Sequence, residues 1–312
     1  MGSPQEVIAP LEALAAYAAT PGHILVAVIS QAAKPVGRKL VLTDPPVAQF
    51  AKAARLTVLQ PPNVNDANFL AEFAALRPDV VITAAYGQLL SEAFLAIPRR
   101  ATINIHPSLL PAYRGATPVP AALLDGLVTS GISVLFTVKA MDAGNIIVQQ
   151  AVSITPHEMQ LELTERLFRS SCPLLLDALD KLADESFTGT PQDESKVTRC
   201  RKIKKEDGQV MWTSPATELY ARFRAFNPWP GLYTRHGDRR VTLTAVQPWN
   251  EQTSPPLLAA GEFTAVKALS GMAIGTATEP LVALRLTPEG GREMAALAFL
   301  NGLKPGAERR FT

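Results

Sequence analysis

With 312 residues and 47% hydrophobic side chains, the chain has enough apolar material for two folded domains, and this composition excludes a disordered or fibrous protein. The net charge of +2 is unevenly distributed, because residues 1–200 hold 15 basic and 18 acidic side chains, whereas residues 201–312 hold 15 and 10. The basic excess in the last third suits an anionic partner such as RNA, although an ordinary basic surface explains it equally well.

Other features exclude whole classes of site. The two cysteines, Cys172 and Cys200, form neither a disulfide framework nor a CxxC motif, which fits a reducing compartment such as the cytoplasm. No apolar run reaches the ~18 residues that a membrane span needs, so no membrane association is expected. The sequence has no P-loop, no zinc-ligand spacing and no GxGxxG, so neither a metal site nor a nucleotide redox cofactor is expected.

Helix and strand patterns alternate through the first half of the chain. The Ala- and Leu-rich residues 5–19 predict a helix, and the apolar run at 23–30 predicts a buried strand. Further helices are predicted at 46–54 and 66–76, and further strands at 56–60, 79–85 and 101–106. This alternation favours parallel βαβ units and therefore an α/β fold with a doubly wound, mostly parallel sheet.

The strand predicted at residues 101–106 ends in two polar side chains. Asn104 and His106 are two residues apart, so they point to the same face of a strand. Pro107 ends the strand because it cannot donate to a sheet ladder, and ligands of open α/β sheets usually bind at such an edge. Asp142 follows another strand-like run, residues 132–138, and is expected in a loop at a strand end.

An amide, an imidazole and a carboxylate together suit acyl transfer to an amine. The amide would fix the acyl oxygen, the imidazole would donate to the developing oxyanion, and the carboxylate would accept the proton that the amine loses. No serine or cysteine nucleophile is needed if the amine attacks directly. Spacing alone leaves the role open, since Asn and His beside a proline-rich turn often only satisfy backbone groups.

The segments NIHPSLLPAYRGATPVPAALLDG at 104–126 and MDAGNII at 141–147 resemble the signature of folate-dependent formyltransferases. The resemblance implies a Rossmann-like catalytic domain, 10-formyltetrahydrofolate as co-substrate, and Asn104, His106 and Asp142 as the catalytic residues. The folate-contacting positions that it implies are Ser108, Leu109, Leu110 and Pro111 in one loop and Tyr86 and Gly87 in another.

Arg114 lies inside the first of these segments. Its guanidinium could hold an acidic group or a phosphate of a substrate, or it could anchor the Leu-Leu-Pro loop by bonding to carbonyl groups. We favour the structural role.

The opening residues Met1-Gly2-Ser3-Pro4 resemble the turn that follows the first strand in this family. The resemblance therefore implies that this strand is missing here, through a mis-set start or a truncation rather than a natural loss. Such a strand would lie near the centre of the sheet, and its loss would leave neighbouring backbone groups unpaired.

The last third of the chain is expected to form a second domain. Residues 185–206 would link domains at 1–184 and 207–312, and this linker ends in a strongly basic run at 196–205. The segment RAFNPWPG at 224–231 is typical of the family branch that formylates methionyl-tRNA, and the short strands after it predict a small β-barrel, OB-like by the resemblance. The tRNA-contacting candidates are Lys34, Arg38 and Lys39 in one loop and Arg201, Lys202, Lys204 and Lys205 in the basic run.

Three hypotheses follow. The first is a monomeric, cytoplasmic enzyme that formylates methionyl initiator tRNA for translation initiation. The second keeps the chemistry but changes the amine, for example to that of a sugar nucleotide. The third is an inactive RNA-binding relic, against which the presence of all three catalytic residues counts.

Overall fold

The computed structural model describes residues 1–37, 39–249 and 254–312. Contacts within the chain divide it into two compact units. The first comprises Met1–Pro118, Val128–Ile154 and Glu162–Arg201, and the second comprises Val119–Leu127, Thr155–Leu161 and Lys202–Thr312.

The helices and strands have the following bounds. The α-helices are α1 (Ile8–Ala18), α2 (Pro46–Ala53), α3 (Ala67–Ala75), α4 (Glu92–Leu95), α5 (Pro118–Leu124), α6 (Gln160–Lys181), α7 (Ala216–Phe226) and α8 (Ala296–Asn301). The strands of the first unit are β1 (Val28–Ile29), β2 (Lys34–Val36), β3 (Val41–Thr43), β4 (Val58–Leu59), β5 (Val80–Thr83), β6 (Ala101–His106), β7 (Arg114–Gly115), β8 (Thr129–Phe136), β9 (Ile146–Ser153) and β10 (Arg199–Cys200). Those of the second unit are β11 (Leu232–His236), β12 (Arg239–Pro248), β13 (Phe263–Val266), β14 (Gly271–Ile274), β15 (Leu281–Pro288) and β16 (Met294–Ala295).

Local sequence determines where several elements begin. The carboxylate of Asp66 accepts hydrogen bonds from the N–H groups of Asn68 and Phe69, which caps the start of α3. Phe69 and Phe73 on this helix stack with each other, and Phe73 also stacks on Phe94. The helix therefore follows from a capping residue together with an aromatic stripe that is buried in the core of the first unit.

The sheet of the first unit is mixed. β5 pairs with β6 in parallel, whereas β6 pairs with β8, and β8 with β9, in antiparallel fashion. β1 and β4 form a further parallel pair. The predicted α/β class is confirmed, but the sheet is less parallel than expected, because a loop of fewer than a dozen residues between β8 and β9 allows only a hairpin.

Met1 and Gly2 connect the two parallel pairs. The N–H of Gly2 donates to the carbonyl of Ile29 at 3.0 Å, and the carbonyl of Met1 accepts from the N–H of Ala84 at 2.9 Å. Gly2 forms a parallel bridge with Ala84. An extended segment of two residues therefore lies between β1 and β5 and runs parallel to β5.

The strand predicted at residues 23–30 is shorter than expected. Only Val28–Ile29 pairs, and the side chain of Ile24 is 85% exposed. The paired part of this strand ends where its contacts with Met1 and Gly2 end, because a strand needs a neighbouring strand to satisfy its backbone hydrogen-bonding groups. The loop expected after this strand contains a short antiparallel hairpin of β2 and β3.

The second unit is built on an antiparallel sheet in the order β11-β12-β15-β14-β13, with β16 on β15. Its core includes Trp212, Phe223, Phe263 and Phe311. The final residues 309–312 hydrogen bond to both ends of this path. Phe263 N–H donates to the carbonyl of Arg309, and Arg235 and Thr312 exchange a pair of backbone hydrogen bonds.

The described residues include neither a membrane-spanning helix nor a cluster of metal-binding side chains. No described helix combines the length and the apolar character that crossing a bilayer requires. The described part of the chain holds no group of three or more His, Cys, Asp or Glu side chains arranged to bind a metal ion.

Candidate active site

β6 carries two of the predicted site residues to the edge of the sheet. Asn104 lies opposite Leu135 of β8, and His106, the last residue of the strand, lies opposite Ser133. His106 is 4% exposed and Asn104 is half-buried. Because these two residues are two positions apart on one strand, they share a face of the sheet.

Asp142 reaches the same place from the loop between β8 and β9. Its Oδ1 lies 3.7 Å from Nδ1 of His106 and 3.5 Å from Nδ2 of Asn104. Its Oδ2 accepts a hydrogen bond of 2.9 Å from the backbone N–H of Gly115. Asp142 adopts a left-handed backbone with φ of 53°, which Asp tolerates better than most residues. The structure therefore brings the three predicted side chains together.

A buried threonine fixes the amide of Asn104. Thr83 Oγ1 donates to Asn104 Oδ1 at 2.8 Å and to the carbonyl of Ile103 at 3.1 Å. The amide is oriented by Asp142, because a carboxylate only accepts hydrogen bonds and therefore faces the NH₂ of Asn104, which leaves the amide oxygen toward Thr83. The NH₂ end of Asn104 is then the one that faces Asp142 and the site.

His106 has a defined orientation because its Nε2 lies 3.0 Å from the carbonyl oxygen of Tyr113. A carbonyl only accepts, so Nε2 carries a hydrogen and donates, and Nδ1 is the nitrogen that faces Asp142. Burial lowers the pKa of His106 below its usual range, while the Asp142 carboxylate and the Tyr113 carbonyl oppose that shift. The net effect favours the neutral imidazole, with its lone pair on Nδ1.

The loop that carries Asp142 is held by a second polar network, which includes Gln192 and the buried side chain of Arg114. Gln192 Nε2 donates to the carbonyl of Asp142 at 2.8 Å and to that of Gly144 at 2.7 Å. Gln192 Oε1 accepts from Arg114 Nε at 3.0 Å and from Nη2 at 2.9 Å. Arg114 is 2% exposed and also pairs with Glu194 at 2.7 Å. The structural role that we favoured for Arg114 fits these contacts, but its partners are side chains and not the expected carbonyls.

The loop predicted to contact folate is tightly packed. Ser108 and Leu110 are buried, and Leu109 and Pro111 are half-buried. Ser108 Oγ donates to the carbonyl of Ala112 at 2.7 Å, and Ser133 Oγ donates to the carbonyl of Ser108 at 2.6 Å. The Ser108 hydroxyl thus shapes the loop from inside, and the side chains that reach its surface are those of Leu109 and Pro111.

Tyr86 and Gly87 lie directly after β5. The Tyr86 side chain is buried in the core of the first unit, and burial raises its pKa to about 12. The Tyr86 carbonyl accepts from Gln31 Nε2 at 2.7 Å. Gly87 has φ of 87°, and a Cβ there would lie 2.4 Å from Gln31 Nε2, so the turn requires glycine. The backbone of this turn, and not the tyrosine ring, is what lies at its surface.

The candidate tRNA contacts are exposed wherever they are described. Lys34 begins the β2–β3 hairpin and donates to Gln31 Oε1 at 2.6 Å. Arg38 lies outside the described residues. The candidates with exposed side chains are Lys34, Lys39, Arg201, Lys202, Lys204 and Lys205.

Comparison with sequence profiles shows the family to which the chain belongs. The profile described as "Formyl transferase" matches residues 9–179, and the profile described as "Formyl transferase, C-terminal domain" matches residues 202–304. The chain belongs to the formyl transferase family. The two matched regions together span most of the chain.

Two relatives and one solved structure illustrate the likeness. A methionyl-tRNA formyltransferase of Chloroflexus aurantiacus is 37% identical over 97% of this chain and 96% of its own length. One of Chloroflexus aggregans is also 37% identical, again over 97% of this chain and 96% of its own length. An N-formyltransferase of Helicobacter canadensis, in complex with folinic acid and dTDP-3-aminofucose, has a TM-score of 0.66 over 90% of this chain and 96% of that one. At 16% identity this last likeness shows the fold alone.

Several groups at the site of this formyl transferase family member were not predicted from the sequence. Thr83 had a weak signal, since it is a polar residue near the end of a predicted strand beside Asn104. Tyr113 and Gly115 act through backbone atoms, which sequence identity does not reveal. Gln192 lies in the segment predicted to be a linker, and nothing in the sequence distinguished it there.

Proposed function

We propose that the chain transfers the formyl group of 10-formyltetrahydrofolate to the α-amine of methionyl initiator tRNA. The observation that carries the proposal is the match, over nearly the full length of both chains, to proteins named methionyl-tRNA formyltransferase. The grouping of Asn104, His106 and Asp142 supports the chemistry. The products are formyl-methionyl-tRNA, which serves translation initiation, and tetrahydrofolate.

The proposed reaction begins with attack of the neutral amine on the formyl carbon. The ammonium form of the amine has by then passed one proton, through Asp142, to Nδ1 of His106. The Nδ2–H of Asn104 donates to the formyl oxygen, and the protonated Nδ1 of His106 donates to the same oxygen as it becomes an oxyanion. Nδ1 releases its proton to solvent after the oxyanion has collapsed to the product amide. The carboxylate 3.7 Å from Nδ1 stabilises that imidazolium. Both donors therefore act where negative charge develops.

Proton balance in this proposal is the task of Asp142. The amine loses one proton when its new N–C bond forms, and the leaving nitrogen of the folate gains one when the old C–N bond breaks. Asp142 relays that proton, directly or through water, because its carboxylate lies beside both Asn104 and His106. The N–H of Gly115 and the Gln192 network keep the carboxylate in position.

The residues around the trio suit a folate co-substrate. Leu109 and Pro111 offer apolar surface, and the glycine-dependent turn at Gly87 leaves backbone groups available for a planar ring edge. Ser108 and Leu110 contribute through the shape of the loop. Tyr86 contributes through its backbone, and its ring packs in the core.

The proposal also covers the tRNA-contacting residues, the domain bounds, the fold of the last domain, the oligomeric state and the cellular location. The tRNA phosphates would meet Lys34 and Lys39, together with Arg38, which lies outside the described residues. They would also meet Arg201, Lys202, Lys204 and Lys205. The catalytic domain would be 1–184, the linker 185–206 and the tRNA-facing domain 207–312. We assign the last domain to an OB-like barrel, supported by the way residues 309–312 hydrogen bond near both edge strands of its sheet. We further propose that the enzyme is a monomer and that it acts in the cytoplasm.

A sugar-nucleotide amine is the second candidate acceptor, because the same three side chains would serve formyl transfer to another amine. The test supplies the chain with 10-formyltetrahydrofolate and one of three acceptors: methionyl initiator tRNA, methionyl elongator tRNA or a dTDP-linked amino sugar. We expect formylation of the initiator tRNA at least about 100-fold faster than of the sugar, measured as kcat/KM. Faster formylation of the sugar would overturn the tRNA assignment.

A further inference from the structure

Two side chains of the proposed catalytic trio are held by one short stretch of backbone, residues 113–115. The carbonyl oxygen of Tyr113 lies 3.0 Å from Nε2 of His106, and the N–H of Gly115 donates to Oδ2 of Asp142 at 2.9 Å. Both contacts use backbone atoms, so the orientation of the imidazole and of the carboxylate depends on where this stretch is held. Whatever fixes residues 113–115 therefore also fixes the geometry of the site.

The backbone of this stretch has a conformation that needs support from its surroundings. Tyr113 has φ of 59° and Gly115 has φ of 125°. Positive values of φ are uncommon outside glycine, and a bulky residue such as tyrosine adopts one only where the surrounding structure imposes it. At Gly115 a Cβ would lie 2.2 Å from the carbonyl oxygen of Cys200, so a neighbouring strand packs directly on this glycine.

Residues 198–201 supply that support within the first unit. β10 pairs with β7 in parallel, so that Cys200 lies opposite Gly115. After the strand, the hydroxyl of Thr117 donates to the carbonyl of Arg201 at 2.7 Å. This pairing fixes β7 itself, whereas Tyr113 lies one position before the strand and needs a contact of its own.

Thr198 provides that contact. Its Oγ1 accepts a hydrogen bond of 2.8 Å from the N–H of Tyr113, and its carbonyl accepts one of 2.9 Å from the N–H of Arg114. Its own N–H donates to the carbonyl of Pro111 at 3.4 Å. Any residue other than proline could make the two backbone contacts, but the contact with the N–H of Tyr113 requires a side-chain oxygen. The hydroxyl therefore fixes one side of Tyr113, and the carbonyl on its other side faces His106.

We propose that Thr198 is a positioning residue for His106 and that it acts through the peptide groups of Tyr113. With the hydroxyl in place, the Tyr113 carbonyl accepts from Nε2, which leaves Nδ1 as the nitrogen that faces Asp142. Without the hydroxyl, Tyr113 relaxes from its left-handed conformation, and the imidazole loses the acceptor that selects its tautomer. Thr198 is exposed, so water replaces part of the lost contact and the expected effect is a severalfold one.

The kinetic test compares Thr198→Val, which keeps the shape of the side chain but removes its oxygen, with Thr198→Ser, which keeps the hydroxyl. We expect the valine variant to lower kcat about fivefold with the KM for the folate within about twofold, and the serine variant to stay within about twofold of the parent chain. Thr190→Val is the matched control, because Thr190 is an exposed threonine that bonds to Ile146 through its backbone. An unchanged kcat in Thr198→Val, or an equal loss in Thr198→Ser or in Thr190→Val, would overturn the proposal.

A second measurement follows the imidazole directly and needs no substrate. In ¹⁵N spectra of histidine-labelled protein at about pH 8, where an ordinary imidazole is neutral, protonated and unprotonated ring nitrogens give separate signals, and His106→Ala identifies those of His106. The parent chain and Thr198→Ser should carry the hydrogen on Nε2, whereas Thr198→Val should give a mixture of both tautomers. The same single tautomer in all three proteins would overturn the proposal.

The two measurements separate this role from the proposed function. The effect on kcat rests on the proposed formyl transfer, whereas control of the tautomer does not. A parent chain that formylates no amine, while Thr198→Val still changes the tautomer of His106, would refute the proposed function and support the positioning role of Thr198.

Discussion

Two opposed influences act on the imidazole of His106. Burial lowers its pKa, and the Asp142 carboxylate at 3.7 Å raises it. The balance favours the neutral form before reaction, yet a carboxylate in this position makes the imidazolium accessible when an oxyanion forms nearby. In the proposed reaction, the residue therefore begins neutral, takes up a proton from the amine at Nδ1 and then stabilises negative charge.

The first prediction concerns the two titratable members of the site. His106→Ala and Asp142→Asn should each lower kcat by about 100-fold or more, because each removes a group that acts only as the reaction proceeds. Steady-state kinetics and a tRNA filter-binding assay provide the measurement, and tRNA affinity should change little. His157→Ala, which removes an exposed histidine, is the matched control. Weaker tRNA binding without a loss of rate would contradict the assigned roles.

The second prediction concerns Gln192 as a positioning residue. Gln192→Leu removes the donor that holds the carbonyls of Asp142 and Gly144, so the Asp142 loop should lose its fixed geometry. We expect kcat to fall about tenfold while the KM for the folate stays within about twofold. Gln88→Leu is the control, since Gln88 bonds to Val64 and Pro62 outside this network. An equal loss in both variants, or a change in KM alone, would refute this role for Gln192.

At the residue scale, the sequence was sufficient to find the trio because its members lie in two short contiguous motifs. It could not identify Thr83, Tyr113 or Gln192, since their roles depend on which strands pair and which carbonyls face the site. The register of β5 against β6 is a tertiary outcome. Ser108 shows the reverse case, in which a motif residue is present but its hydroxyl is bonded within its own loop.

At the element scale, the two ends of the strand at residues 23–30 differ in environment. Val28 and Ile29 are buried and paired, whereas Ile24 is 85% exposed. The apolar sequence predicted a strand throughout, but strand pairing also requires a neighbour from a distant part of the chain. Helix α3 needed no such partner for its cap, and the structure has it within about one residue of the predicted bounds.

The third prediction uses the buried amino terminus. The amino group has a pKa near 8.0 when solvated and about 5 in the folded chain, so the unfolded state binds more protons between these values. Stability from this group is therefore present above pH 8 and is lost as the pH falls toward 5. The Tm should drop between pH 8 and pH 6 more steeply for the chain than for an N-acetylated version, which cannot titrate there. Identical slopes would show that the amino group is solvated.

At the scale of the whole molecule, the distribution of charge and the contacts of the last residues carry information that local sequence patterns do not. The excess of basic residues lies in 201–312, while the trio lies in the first unit. Composition predicted two domains and short strands in the second. Composition did not predict that residues 309–312 form backbone hydrogen bonds with β13 and β11. These bonds join the last residues to strands about 50 and 75 positions earlier in the chain.

The fourth prediction tests the basic run. Replacing Lys202, Lys204 and Lys205 with Gln should raise the KM for tRNA and reduce the slope of log affinity against log salt by roughly one for each phosphate that is no longer neutralised. kcat at saturating tRNA should stay near that of the parent chain. The control replaces Arg239, Lys267 and Arg292, three exposed basic residues in the same unit, and so matches the change in charge. An unchanged salt slope in the first variant would show that residues 201–205 are an ordinary solvated segment that does not contact the tRNA.

The most direct measurement is transfer of a labelled formyl group from 10-formyltetrahydrofolate to methionyl initiator tRNA by the chain as it stands. The account predicts labelled formyl-methionine after the tRNA is deacylated, and a signal about 100-fold lower from Asp142→Asn. Absence of labelled product from a chain that still binds folate and tRNA would contradict it.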